Sequence, residues 1–122
     1  MARNYGWPER IIVWLLTLAF IGAGGAKLAG VPGIVAVFDR FGLPQWFIYV
    51  TAAVEILGAI GLHFRKSIVG LFAPVLLTIT MAIGAGFHFF YDTPPEAVPA
   101  ILLALFSSIV LFLRRTSAPV PA

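Results

Sequence analysis

Four long apolar runs, at residues 11–29, 46–62, 68–90 and 98–113, are separated by short connections rich in charge, glycine or proline. Each lies near the ~20 residues that carry a helix across a bilayer, the second and fourth being short. The runs are continuous and lack the apolar/polar alternation of a barrel strand, so helices, which satisfy their own backbone hydrogen bonds, are the expected element. At 61% hydrophobic and 11% charged in 122 residues, the chain has more apolar surface than a soluble domain of this size can bury. Lipid must therefore be part of its solvent. The expected fold class is all-α: one domain over residues 1–122, folded as a four-transmembrane-helix bundle with antiparallel neighbours joined by tight turns at residues 63–67 and 91–97.

Charge placement predicts orientation. Arg3 and Arg10 precede the first run, Arg65 and Lys66 fill the second connection, and Arg114 and Arg115 follow the fourth. With alternating spans all six fall at one end, while Asp39, Arg40, Asp92 and Glu96 fall at the other. The positive-inside rule then predicts a multi-pass plasma (inner) membrane protein with both termini cytoplasmic. A cleavable signal peptide is the competing reading of the first run, since residues 22–26 are small, but a run of this length suits a retained anchor.

The first connection predicts a short helix over residues 34–41, apolar on one side and lying at the outer interface, against the plainer reading of a surface loop. Trp46 and Tyr49 fit an interfacial aromatic belt. Pro74 predicts a bend in the third span. Thr93 suits the N-cap of the fourth, with proline in its first turn and Glu96 at the positive end of its dipole.

Glu55 is a lone carboxylate within the second run, which costs about 2.5–3.5 kcal/mol at bilayer depth and predicts a residue facing the bundle interior. At 1.5 Å per residue it lies roughly 10–14 Å from either end of its span. Thr51, Glu55, Gly58 and Leu62 share one helical face, as do Thr78, Met81, Ala85 and His88, and as do Thr17, Gly24 and Lys27. The small residues read first as helix-packing positions. Lys27 and His88 lie near the outer ends of their spans, where lysine can snorkel. A Lys27–Glu55 ion pair would lower the burial cost, but equal inner planes would put their α-carbons roughly 13 Å apart in height. The competing arrangement is a protonated Glu55 bonded to Thr17 or a backbone carbonyl. The expectation is an outward-opening polar pocket around Lys27, Glu55 and His88, with Thr51 and Thr78 as further ligand-binding or proton-relay candidates.

Cysteine is absent, which removes disulfides, dithiol chemistry and thiolate metal sites. His63 and His88 belong to opposite ends and cannot share a haem. No metal site, nucleophile–base pair, phosphate-cradling glycine loop or nucleic-acid surface is expected.

Several segments together resemble a known family. The end of the first run, Phe20-Ile21-Gly22-Ala23-Gly24-Gly25-Ala26-Lys27-Leu28, is followed by Phe38 and Gly42-Leu43-Pro44, then by Glu55-Ile56-Leu57-Gly58-Ala59-Ile60-Gly61-Leu62. With Met81-Ala82-Ile83-Gly84-Ala85-Gly86-Phe87-His88 and the stretch from Pro99 to Arg114, these resemble the DoxX-like family of small four-helix membrane proteins over residues 11–115. The resemblance implies a polar set of Lys27, Glu55 and His88. It also implies a link to quinone chemistry, since the family takes its name from a subunit associated with thiosulfate:quinone oxidoreduction, while more distant relatives look like assembly factors. Missing cysteines count against dithiol chemistry and leave quinone as a candidate cofactor.

The leading functional expectation is an accessory protein, not catalytic alone, that binds a lipophilic small molecule or a membrane partner in its bundle, with a homo-oligomer compatible. A membrane subunit of a quinone-linked oxidoreductase, with redox centres supplied by a partner protein, is the alternative. A proton-coupled small-molecule transporter ranks lower, because small multidrug transporters of this length carry their glutamate in the first span and have weaker charge bias. Glu55 acting only to pin helix register is the structural alternative.

Overall fold

The structure is a computed structural model that describes residues 6–117; Arg3 lies outside the described residues. Five α-helices follow in order: α1 (Gly6–Leu28), α2 (Pro32–Arg40), α3 (Gln45–Gly61), α4 (Val69–Tyr91) and α5 (Val98–Ser117), with a 3-10 turn at Pro94–Ala97 leading into α5. No strand occurs among the described residues. α1, α4 and the segment Pro94–Arg115 are each long and apolar enough to cross a membrane. α3, at 17 residues, falls short alone and reaches that standard with α2, from which it turns through 113°. The bundle therefore has three or four candidate spans.

Two helix ends follow directly from glycine. Gly30 and Gly42 adopt φ of +71° and +72°, and each closes its helix with the paired bonds of a Schellman motif. After α1, Gly30 N–H donates to Lys27 O and Val31 N–H to Ala26 O; after α2, Gly42 donates to Asp39 O and Leu43 to Phe38 O. The first connection is thus a formed helix, starting two residues earlier than its sequence suggests because Pro32 fits a first turn. The first span also starts earlier than predicted, at Gly6 rather than residue 11, which brings Glu9 and Arg10 into α1. Thr93 does sit before the 3-10 turn, but its side chain makes no capping bond.

The core is built by helical spacing. Val13, Leu16 and Phe20 of α1 meet Ala59 and Leu62 from α3 and its C-cap, Ala73, Leu77 and Met81 of α4, and Val110 of α5. Close backbone approach depends on small residues. A β-carbon on Gly24 would lie 2.6 Å from Ile56 Cγ1 and 3.1 Å from Ala52 O, and one on Gly58 would lie 2.6 Å from Leu77 Cδ2. Ile56 can rotate, whereas the Ala52 carbonyl belongs to the α3 backbone. Gly24→Ala is therefore expected to push α1 and α3 apart and cost about 1–3 kcal/mol by overpacking. A thermal-unfolding midpoint in detergent unchanged from wild type would refute this close packing.

Candidate functional site

The α1–α3 contact also sets the height of the charged pair. Gly24 packs between Ala52 and Ile56, so in an antiparallel pair Lys27 stands opposite residue 51, four positions from Glu55. That offset is about 6 Å along the axes, not the 13 Å obtained from equal inner planes, because α1 and α3 do not begin and end at matching heights. A lysine side chain spans it. Lys27 Nζ lies 3.0 Å from Glu55 Oε1 and donates to Oε2 at 3.3 Å.

Glu55 is only 3% exposed, as burial on the bundle side of α3 requires. The shorter contact, to Oε1, lacks hydrogen-bond alignment, so that oxygen is buried with no hydrogen-bond donor. Attraction between charges holds the pair more than an aligned bond does, and it is strengthened by the apolar surroundings. Beyond Glu55, Lys27 Nζ has no partner among the described residues. Thr17, the other expected partner of Glu55, is engaged elsewhere. Its hydroxyl donates to Val13 O at 2.7 Å and lies 2.8 Å from His63 Nε2.

Lys27 and Glu55 line a cavity of about 490 Å³ that also takes in Thr51 and His88. Four aromatic rings, Phe38, Phe41, Phe47 and Phe87, form much of its wall. Phe41 stacks on Phe87 at 5.4 Å and meets His88 edge-on at 5.1 Å. Thr51 turns its hydroxyl back to Phe47 O at 2.6 Å, so it contributes little free hydrogen bonding. Thr78 is not part of this wall: its hydroxyl donates to Pro74 O at 2.6 Å, and Thr80, two residues on, lines the cavity instead.

Next to the cavity, at His88, a clasp joins the end of α2 to the C-cap of α4. Arg40 Nη2 donates to Asp92 Oδ2 at 3.0 Å and Oδ1 at 3.2 Å, and His88 Nδ1 lies 3.1 Å from the same Oδ2. Partial burial would push the Asp92 carboxyl up, but hydrogen bonds and positive charge from Arg40 and His88 outweigh it and hold the carboxyl below its ordinary range. A depressed carboxylate stabilises the fold above its unfolded value near 3.9 and loses that effect as pH falls through the lower folded value. Asp92→Asn is expected to flatten the acid limb of stability, read as unfolding midpoints between about pH 2 and pH 5. An unaltered limb would mean that the clasp does not hold in solution.

The opposite end holds a second ionic cluster that sequence reasoning missed. Glu9 is completely buried. Arg65 donates to it from Nε at 3.1 Å and Nη2 at 2.7 Å, and Arg114 from Nε at 3.0 Å and Nη2 at 2.8 Å. Arg114 also donates to Gly70 O at 2.8 Å and Leu62 O at 2.6 Å. Pro74 has no N–H with which to bond the carbonyl four residues before it, so Arg114 fills the vacancy that Pro74 leaves at Gly70. One sequence signal was available: Glu9 is the lone carboxylate side chain among the basic residues of that end.

These two clusters set the topology of the ends. Glu9, Arg65 and Arg114 bring together the start of α1, the α3–α4 turn and the end of α5, while Arg40 and Asp92 meet at the other end. His63 belongs to the first group and His88 to the second, so the histidines are at opposite ends.

A family model described as the DoxX-like family matches residues 11–110. No curated protein and no solved structure matches the chain.

Proposed function

The chain belongs to the DoxX-like family, and on that premise we propose that this multi-pass membrane protein is an accessory, ligand-binding subunit whose cavity takes an uncharged lipophilic molecule. The carrying observation is the Lys27–Glu55 pair on the wall of an aromatic-lined cavity. Paired charges make that wall electrically neutral as a unit, which favours neither an anion nor a cation. Lys27 still has N–H donors to spare, and they suit an acceptor oxygen on an otherwise apolar molecule. Glu55 orients and neutralises Lys27, and His88 borders the same space. The positive-inside rule supports placing the Arg65/Arg114 end in the cytoplasm, with α2 at the opposite interface.

The test is purification of the full chain from native membranes in mild detergent, with mass spectrometry of its retained small molecules. Wild type is expected to hold a neutral lipophile that Glu55→Gln loses. Retention of bulk lipid alone by both proteins would overturn the reading. A second reading, the membrane subunit of a quinone-linked oxidoreductase, is favoured by the fit between a ring carbonyl and the spare Lys27 donors. It requires a co-purifying redox subunit. Transport through the bundle gains no support: the fully buried Phe20, Leu62 and Leu77 pack together in its core.

A further inference from the structure

The Glu9 end carries more positive charge than its own residues neutralise. Arg10, Arg65, Lys66, Arg114 and Arg115 gather there against Glu9 as the one carboxylate side chain. That carboxylate is already shared by two guanidinium groups. Its contacts use Nε and Nη2 of Arg65, so the guanidinium is fixed in orientation while Nη1 has no hydrogen-bond partner among the described residues. The Arg65 side chain is 27% exposed, and its neighbour Lys66 is exposed outright.

The turn around these residues is itself ordered. Ser67 Oγ donates to Phe64 O and accepts from Val69 N–H, both at 3.2 Å. His63, Phe64, Arg65, Lys66 and Ser67 line an open depression of about 460 Å³. The local field is positive: burial first, then Arg65 and Arg114, push the His63 imidazole below its ordinary value, against the opposing pull of Glu9. Beside the depression, Phe64, Ile68 and Phe72 present exposed apolar side chains.

We propose that this depression is a binding site for an anionic phospholipid. Its phosphate meets the free edge of Arg65 and the Lys66 ammonium, and its acyl chains lie along Phe64, Ile68 and Phe72. A guanidinium already held in place loses little freedom on meeting a phosphate oxygen, which gives a site rather than a diffuse attraction. The apolar flank favours a lipid over free phosphate, which has no use for it. This site lies at the opposite end from the cavity, so its failure would leave that reading untouched.

The experiment uses the full chain in nanodiscs of mixed phosphatidylcholine and phosphatidylglycerol, with native mass spectrometry counting the lipids that stay bound. Phosphatidylglycerol is expected to be retained preferentially, at one tight copy per chain. Lys66→Glu should weaken that retention about tenfold, whereas Arg115→Glu, an equal change of charge at the same end, should weaken it less than about twofold. Arg65 is left intact because the Glu9 cluster depends on it. Equal losses in both variants would reduce the effect to general surface charge and overturn the proposal. Absence of preference for phosphatidylglycerol would do the same, and so would displacement of the lipid by millimolar inorganic phosphate.

Discussion

Glu9→Gln is expected to destabilise the protein by about 3–5 kcal/mol, the range for breaking a buried charge pair by removing one partner. The variant keeps the volume of the side chain and removes its charge. Arg114, 2% exposed, would then lose the carboxylate that it shares with Arg65, while its contacts with Leu62 O and Gly70 O supply no negative charge. The loss should show as a large fall in the unfolding midpoint in detergent, without change of helix content in the surviving folded fraction. Arg65→Gln should cost less, since Arg65 is partly exposed and its removal leaves Glu9 paired with Arg114. Replacing Glu9, Arg65 and Arg114 together by apolar side chains of similar size should recover much of the stability lost in Glu9→Gln, because no buried charge would then be stranded. A Glu9→Gln protein as stable as wild type would mean that the cluster is hydrated and contributes little.

Loss of the retained neutral lipophile in Glu55→Gln is the second large effect, and pairing it with Lys27→Met makes it specific. Glu55→Gln frees the ammonium, which can snorkel away from the cavity, so affinity should fall at least about tenfold, or 1.4 kcal/mol. Lys27→Met instead strands a carboxylate in apolar surroundings and should weaken the fold as well as the binding. The double variant removes both charges; its stability should return toward wild type while binding stays lost. Such coupling is expected for side chains in direct contact. Binding that survives in the double variant would make the pair a structural pin and leave the apolar walls to select the ligand. Full binding in Glu55→Gln alone would count against any role for the carboxylate.

The apolar runs and their turns made helices and a membrane protein legible from the sequence alone, because apolar surface in such continuous stretches has no other place to go. The glycines that end α1 and α2 left equally local signals. Glu55 could be placed on the bundle side for the same reason: a carboxylate facing lipid is costly. Tertiary structure decided which charges meet. The register between α1 and α3 follows from the fit of Gly24 against Ala52 and Ile56, a contact between positions about thirty residues apart that no local pattern encodes. This register brings Lys27 to Glu55. Thr78 shared a helical face with His88 in the sequence, yet Thr80 lines the cavity, since α4 packs against several neighbours and one stripe cannot serve them all. Glu9 stands two residues before the first apolar run, with no local feature that marks it as buried. Only when the start of α1, the turn at Arg65 and the end of α5 converge does it become the buried counter-charge for two arginines. Composition and periodicity set which segments leave water; the meeting of distant charges depends on helix register, fixed by packing of side chains far apart in the chain.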